Sequence, residues 1–367
     1  MAPGHRGPPL RGLRPHPRGR ALRGAPVRAG PALTPPAVSV LLPVRDGEAT
    51  LGACLASLSA QTLADHEVVA VDDGSADGSG RLLRAHAARD ARLRVLAAPP
   101  RGLVAALNHG LAACRAPLVA RMDADDVADP RRLEAQARRF RDADAPDVLA
   151  ARVRVVGDEA GPGMAEYVGW SNGLLTHEEM VADLFVESPL VHPSVMARAA
   201  ALRALGGYRV FDGPEDYDLW LRAHAAGLRF AKLSEVLLDW RDSPRRLTRR
   251  DPRYGPDRFR ALKIEALERA ALRAGRAVVL WGGGPIGKAW SRALRARGHR
   301  VCAFVDVHPR RLGTSVHGAP VVPWPEAAAH AGALHLAAVG QRGGRARVRG
   351  LAASLGLRDG VDLIAVA

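Results

Sequence analysis

Short apolar runs alternate with segments of helical periodicity in the first half of the chain. The apolar runs are VSVLLPV at 38–44, EVVAVDD at 67–73, LRVLAA at 93–98 and PLVARMD at 117–123. The segments between them predict helices near 48–61, 78–90 and 103–114. Strands and helices that alternate at this spacing are typical of βαβ units, which indicates an α/β fold with a mostly parallel sheet and helices on both faces.

A second alternation follows a polar stretch at 241–256 and a predicted helix at 257–273. It consists of a strand, a glycine turn and a helix start at 277–287, and of strands at 301–306, 334–340 and 361–366. We therefore expect a larger α/β domain at 37–250, a linker with a helix at 251–273, and a smaller α/β domain at 274–367. Because each domain has a complete predicted sheet, we expect residues 37 to about 273 to fold and to be active without the smaller domain.

The segment before the first strand differs in composition from the remainder of the chain. Residues 1–36 contain seven arginines and no acidic residue, and prolines and glycines interrupt every apolar run. Such a segment cannot pack a core, so we expect a disordered tail. A transit peptide, a phosphate-binding arm and an over-long start are the alternatives for its role.

The net charge of +15 would suit a nucleic-acid-binding protein. The tail holds almost half of that charge, and arginine makes up all but three of the 53 basic residues, which resembles a coding bias. We therefore expect no specific nucleic-acid partner. Three distant cysteines indicate neither a disulfide framework nor zinc, and no apolar run reaches the length of a membrane span. The expected location is the cytoplasm, and peripheral contact with the inner membrane surface is the alternative.

Open α/β sheets bind ligands at the carboxyl ends of their strands, so the polar residues that follow the predicted strands are the candidates. The most acidic of these segments contains Asp123, Asp125 and Asp126. Three carboxylates within four residues repel one another unless a cation compensates them, and carboxylate oxygens are the ligands that Mg²⁺ and Mn²⁺ prefer. The alternative is that these aspartates cap a helix that begins near Pro130.

A second acidic strand end carries Asp72 and Asp73, followed by Gly74 and Ser75. A carboxylate at this place could accept hydrogen bonds from a nucleotide base or from ribose hydroxyls. The alternative is an Asx turn, in which the side chain bonds only to its own loop. Two acidic strand ends in one sheet favour nucleotide-sugar binding, because one end can bind the base and ribose and the other the diphosphate.

Five motifs in order along the chain carry a resemblance to a known family. They are VSVLLPVRDGEATL, VDDGSADGS, RGLVAALNHGL, ARMDADDVADPRRLEAQ and GPEDYDLWLRA. Together they resemble the family 2 glycosyltransferases of the GT-A fold, over about residues 38–250. The resemblance implies a nucleotide-diphosphate sugar as donor, Mn²⁺ or Mg²⁺ as cofactor, and inversion at the anomeric carbon. It leaves the acceptor open among glycans, lipids and proteins.

The resemblance also implies roles for individual residues on the donor side. Pro43 and either Asp72 or Asp73 match positions that face the base and ribose, Asp123 matches a donor-contacting acid, and Asp125 matches a metal ligand. Arg45-Asp46 departs from the family, in which many members carry an aromatic residue and Asn after the Pro-Val pair. The preferred base and donor therefore stay open.

The last motif contains the acids Glu215 and Asp216 at the start of a predicted helix. Acids in a first turn favour the helix dipole, which is the structural alternative for both. An inverting transferase needs one general base to take the proton of the acceptor hydroxyl. Asp216 matches the family's base, and Glu215 is then its acceptor-binding neighbour. His192 is a candidate for a metal or phosphate contact, with a structural histidine as the alternative.

The smaller domain contains a glycine motif of its own. Gly282, Gly284 and Gly287 fit G-x-G-x-x-G between a strand and a helix, and Asp306 follows at the next strand end. In that context the glycines let the chain approach a pyrophosphate and the acid binds a ribose. The motif resembles Rossmann-like nucleotide-binding modules, so we expect NAD(P) or another nucleotide here, with an empty site as the alternative.

The sequence thus predicts an inverting, metal-dependent glycosyltransferase of glycan or glycolipid biosynthesis with a Rossmann-like second domain. Two alternatives remain. A sugar nucleotidyltransferase shares the sheet and the acids but releases pyrophosphate, and a nucleotide-sensing or nucleic-acid-binding protein would have lost catalysis.

Overall fold

The chain forms two sheets, which we describe from a computed structural model. It describes residues 35–157, 161–244, 246–272 and 275–367, so all but the last two residues of the predicted tail lie outside the described part. The strands are β1 Val38–Val44, β2 His66–Asp72, β3 Leu93–Ala97, β4 Leu118–Arg121, β5 Val127–Ala128, β6 Val148–Val156, β7 Met196–Arg198, β8 Phe230–Arg241, β9 Val278–Trp281, β10 Val301–Val305, β11 Ser315–Val316, β12 Ala319–Val322, β13 Leu334–Ala337 and β14 Leu363–Ala365.

The helices connect the strands and cover the two sheets. They are α1 Glu48–Ser59, α2 Ser79–Ala87, α3 Leu103–Ala113, α4 Arg132–Arg139, α5 Pro162–Gly173, α6 His177–Asp183, α7 Ala199–Ala204, α8 Glu215–Ala225, α9 Leu247–Arg250, α10 Pro256–Ala270, α11 Pro285–Ala296 and α12 Gly344–Ser354. Short 3₁₀ turns lie at His192–Ser194, Pro252–Tyr254 and Trp324–His330. Among the described helices, none has the length and apolarity that crossing a membrane requires.

The first sheet has eight strands in the order β3-β2-β1-β4-β7-β6-β8-β5. Strands β1 to β4 pair in parallel, as the sequence predicts, while β7 runs antiparallel to both of its neighbours. The central strand β1 is buried along its whole length. Its residue Leu41 packs in one apolar cluster with α3, and Val40 and Leu42 pack in another with α1. Helices therefore cover both faces, and the carboxyl ends of β1, β2 and β4 meet at one edge.

The second sheet has the order β11-β12-β10-β9-β13-β14. All pairs from β12 to β14 are parallel, and only β11 is antiparallel to its neighbour. Its first strand, β9, lies at the centre, which is the strand order of a doubly wound sheet. The strands that the sequence predicts for the smaller α/β unit thus form one sheet. Strand order alone does not say whether that sheet binds a nucleotide.

Contacts between the two sheet regions are extensive. One buried apolar cluster contains Trp220 of α8, Ile264 of α10 and Leu280 of β9, so it runs from the first region into the second. On another side, Asp183 at the end of α6 forms ion pairs of 2.8 and 2.9 Å with Arg345 and Arg349 of α12. The domain division at 250 and 274 stays a prediction, and residues from both sides of it share a core.

A buried carboxylate joins three elements beneath the first sheet. Glu67 of β2 accepts hydrogen bonds from Ser39 Oγ (2.7 Å) and from the backbone N–H of Arg115 (2.9 Å), and it pairs with Arg94 (2.9 Å). Burial alone would raise the pKa of Glu67, but these hydrogen bonds outweigh burial and lower its pKa to about 2. The ionised form is therefore the one that the folded chain stabilises.

Glu67→Ala is expected to lower the free energy of unfolding by about 2–3 kcal/mol at pH 7, because buried partners lose their acceptor. A depressed pKa stabilises the fold above the ordinary pKa of Glu and ceases to do so as pH falls towards 2. The difference between wild type and variant should therefore shrink below pH 4.5. Urea unfolding at several pH values measures it, with the largely exposed Glu178→Ala as control. A difference that does not change with pH would contradict this account.

Candidate active site

The turn between β4 and β5 places three carboxylates together. One carboxylate oxygen each of Asp123, Asp125 and Asp126 lies within 4.8 Å of the others. We call these three residues the acidic cluster. Helix α4 starts without a side-chain cap, so the capping alternative for these aspartates does not hold. Strand β4 ends at Arg121, two residues before the predicted strand end, because the acidic cluster already belongs to the turn.

The electrostatics of the acidic cluster favour a cation. Burial, followed by the charge of Asp123, raises the pKa of Asp125 to about 6. Burial and the charges of the other two aspartates also raise the pKa of Asp126. Asp126 Oδ1 accepts from the N–H of Arg241 (2.8 Å), whereas its buried Oδ2 has no hydrogen-bond partner among the described residues. An all-oxygen cluster with a buried unpartnered oxygen fits a hard divalent cation.

A buried arginine lies beside the acidic cluster. Arg121, the last residue of β4, forms an ion pair with Asp123 and is almost fully buried. Burial raises the pKa of Asp216 and of Tyr208, and the charge of Arg121 partly opposes that rise, so the guanidinium acts on both groups. The sequence analysis did not assign Arg121 a role. The available signal is an arginine within the otherwise apolar run PLVARMD.

The proposed base lies in the first turn of α8. The carboxylate of Asp216 is half-buried and its Oδ1 accepts from the N–H of Tyr217 (2.7 Å). Burial, and then the charge of Glu215, raise the pKa of Asp216 to about 8, and Glu187 adds to this rise. A carboxyl with such a pKa exchanges its proton near neutral pH, which is the property that a general base needs.

Glu215 is held from two sides. It is buried, and the hydroxyl of Tyr254 donates to its Oε2 (2.6 Å). Its Oε1 lies 3.9 Å from His192 Nδ1. Tyr254 comes from the 3₁₀ turn after the first sheet, and the sequence analysis did not name it. Glu215 therefore ties the segment after β8 to the start of α8.

His192 lies behind Glu215 in the core. It is buried, and its Nε2 shares a hydrogen bond of 2.9 Å with the hydroxyl of Tyr208. Burial lowers its pKa well below the ordinary value, so the ring is neutral. The ring also meets Trp220 edge-on at 6.0 Å. These contacts match the structural alternative, while its role toward a metal or phosphate stays a prediction.

The carboxylates at the second acidic strand end accept hydrogen bonds from the backbone of neighbouring loops. Asp73 is buried, and its carboxylate accepts from the N–H groups of Arg101 (2.8 Å) and Gly102 (2.9 Å). Asp72 Oδ1 accepts from the N–H of Ser75 (3.0 Å), so this carboxylate bonds within its own loop, although to the third residue on and not in an Asx turn. Asp73 thus fixes the loop after β3, and Pro43 lies buried in β1, where it pairs with Val71 of β2. Their contacts to a nucleotide stay predictions.

The glycine motif of the second sheet follows β9 and precedes α11, as predicted. Gly282 has φ +107°, and a Cβ at Gly287 would lie 1.8 Å from the carbonyl oxygen of Gly282. The backbone therefore requires glycine at both positions without any ligand. Asp306 accepts from the N–H of Gly283 (2.8 Å) and pairs with Arg311 (2.9 Å). The expectation of NAD(P) at this turn, which also includes Gly284, gains no support from these contacts.

Comparison with known proteins gives matches to the first sheet region. The family model described as Glycosyl transferase family 2 matches residues 39–206. EpsE of Bacillus subtilis, named as an inferred glycosyltransferase, is 31% identical over 227 residues, which cover 60% of this chain and 79% of EpsE. AmsE of Erwinia amylovora, named as an amylovoran biosynthesis glycosyltransferase, is 34% identical over 189 residues, which cover 50% of this chain and 68% of AmsE.

A solved structure shows the same fold. The crystal structure of TarS from S. aureus in complex with UDP-GlcNAc superposes with a TM-score of 0.51 at 18% sequence identity. The match covers 64% of this chain and 68% of the TarS chain.

Proposed function

Because the chain belongs to glycosyltransferase family 2 and has the GT-A fold, we propose that it transfers a sugar from a nucleoside-diphosphate sugar to an acceptor hydroxyl with inversion at the anomeric carbon. The observation that carries this proposal is that the buried Arg121 forms an ion pair with Asp123 while its charge also acts on Glu215 and Asp216 of α8. One side can bind a donor through a cation, and the other can accept a proton. TarS has been crystallised with UDP-GlcNAc, a donor of this class.

The acidic cluster is the proposed donor-diphosphate site. Asp125 would be the metal ligand, with Asp123 in contact with the donor and the unpartnered oxygen of Asp126 also available. A bound Mn²⁺ or Mg²⁺ would supply positive charge that offsets the departing nucleoside diphosphate. Arg121 orients Asp123 from the protein side through their ion pair.

Asp216 is the proposed general base. Its carboxylate would accept the proton of the acceptor hydroxyl as the hydroxyl oxygen forms its bond to the anomeric carbon and the bond to the diphosphate breaks. Glu215 holds α8 through Tyr254 and contributes to the raised pKa of Asp216. The acceptor that we propose is a glycan or glycolipid in a biosynthetic pathway; the name of AmsE places that relative in amylovoran biosynthesis.

The most direct test is a donor screen. Purified protein with Mn²⁺ is offered a panel of nucleotide sugars, and the released product is identified. Nucleoside-diphosphate release, by hydrolysis or by transfer, is the expected result. Pyrophosphate release would instead indicate the nucleotidyltransferase alternative, and turnover of no donor would contradict both enzymatic assignments.

The pH dependence of turnover follows from the raised pKa of Asp216. A general base acts in its deprotonated form, so kcat/KM for the donor should rise with pH and level off above about 8. Since Glu187 raises and Arg121 lowers this pKa, Glu187→Gln should move the midpoint to lower pH. Initial rates between pH 6 and pH 9 measure both curves. A flat profile in wild type would exclude Asp216 as the group that titrates.

A further inference from the structure

A cavity of about 460 Å³ lies where the two sheet regions meet. Its walls include Glu187 after α6, Tyr254 before α10, and Phe259 and Lys263 of α10. The opposite wall is formed by α11 of the second region, through Ile286 and Trp290. The volume is within the range of about 300–1,000 Å³ that is usual for small-molecule sites.

Two contacts and one charge interaction connect this cavity to the proposed base. Tyr254 donates directly to Glu215, the residue before Asp216. The ring of Phe259 packs on Tyr217, the residue after Asp216, with ring centroids 5.7 Å apart. The charge of Glu187 acts on the carboxyl of Asp216. The cavity therefore lies beside the proton-accepting end of the site, at α8.

The lining combines aromatic, aliphatic and charged groups. Phe259, Tyr254 and Ile286 offer apolar surface, while Glu187 and Lys263 offer a hydrogen-bond acceptor and donor at the walls. A sugar ring has the same dual character, with apolar C–H faces and a rim of hydroxyls. Lys263 also donates to the carbonyl oxygens of Val186 (2.7 Å) and Val366 (3.4 Å), which holds the first region against β14's end.

We propose that this cavity binds the acceptor as a glycoside and that α11 supplies one of its walls. The inference rests on the proposed function and adds the place and the chemical class of the acceptor. The shared chemistry is a sugar with a free hydroxyl, which a soluble oligosaccharide or a lipid-linked glycan can provide. The second sheet region then takes part in acceptor recognition. Residues 37–273 alone would lack that wall.

The test uses substitutions of Ile286 on α11 that narrow the cavity and leave α8 and the acidic cluster unchanged. Ile286 is 39% exposed, so Ile286→Trp and Ile286→Arg should fold. The probes are methyl and octyl β-glycosides of glucose, galactose and N-acetylglucosamine, whose binding is followed by saturation-transfer NMR. We expect at least one probe to bind wild type and to bind both variants at least tenfold more weakly. A loss restricted to octyl glycosides indicates a lipid-linked acceptor, and an equal loss for methyl glycosides indicates recognition of the sugar itself.

The control is Val361→Arg, at an equally apolar position of the second region that is 48% exposed and does not line the cavity. It should bind the probes as wild type does. Donor hydrolysis without acceptor should be the same in wild type and Val361→Arg, and its absence in wild type would contradict the proposed function separately. Binding of no probe to wild type, or equal binding by wild type and both Ile286 variants, would overturn the inference about the cavity.

Discussion

Asp216→Asn is expected to lower the rate of sugar transfer by about 10²–10⁴, the usual contribution of a positioned general base. The amide keeps the size of the side chain and can still accept from the N–H of Tyr217. It cannot take a proton as a carboxylate does. Because the acidic cluster is unchanged and the neutral amide acts on it only through Arg121, donor affinity should fall by no more than a few-fold. Transfer rates at saturating acceptor, together with donor titration, separate chemistry from binding.

The matched control is Asp257→Asn. Asp257 is also an acid in the first turn of a helix, α10, but its side chain is 92% exposed. This variant should transfer at the wild-type rate, which would show that loss of a helix-start acid does not by itself impair the enzyme. Near-normal turnover of Asp216→Asn would refute the assignment of Asp216 and make Glu215 the next candidate.

Asp125→Ala is expected to weaken metal-dependent donor binding by about 10- to 100-fold or more, since losing even an indirect metal partner has effects of this size. The remaining Asp123 is already paired with Arg121, and Asp126 is partly used by the N–H of Arg241. Neither can fully replace a lost ligand. Titration of the nucleotide sugar found by the screen, with and without Mn²⁺, measures the loss.

Asp129→Ala serves as the control for this second variant. Asp129 follows β5, close to the acidic cluster in sequence, and its carboxylate accepts from the backbone and side chain of Arg131 in its own loop. Donor affinity should be unaffected by that change. If Asp125→Ala and wild type bind donor with equal metal-dependent affinity, Asp125 has no place in the donor site.

The strands that position the candidate site could be predicted because their signal is local. Strand β1 is observed at Val38–Val44, as predicted, since its continuous apolar run suits a central strand buried on both faces. The acidic cluster was also visible, because its members are neighbours in sequence. Helix α8 begins at Glu215, so both acids belong to its first turn, as their place at the start of the predicted helix indicated.

Features that depend on distant contacts could not be predicted in this way. The bond from Tyr254 to Glu215 joins residues 39 positions apart, and no local pattern indicates it. The use of Asp73 to hold Gly102 likewise depends on how the loop after β3 folds back. Strands β6 and β8 were not predicted from the sequence. They extend the sheet beyond the parallel βαβ units, on the far side of β7, which runs antiparallel to its neighbours. The wall from α11 arises only when the two sheet regions pack together.

On the proposed assignment of Asp123 to donor binding and Asp216 to proton transfer, the buried Arg121 makes the two ends of the site thermodynamically reciprocal. A ligand that binds Asp123 weakens the ion pair between Asp123 and Arg121. The charge of Arg121 is then less compensated, so it favours loss of the proton from the carboxyl of Asp216. Linkage then requires the converse, so that a protonated Asp216 must weaken binding at the acidic cluster by the same factor. We expect the enzyme to acquire its active base form as the donor arrives. Before the donor binds, the carboxyl of Asp216 tends to keep its proton. It is then a poorer base for a water molecule, which disfavours hydrolysis of the donor.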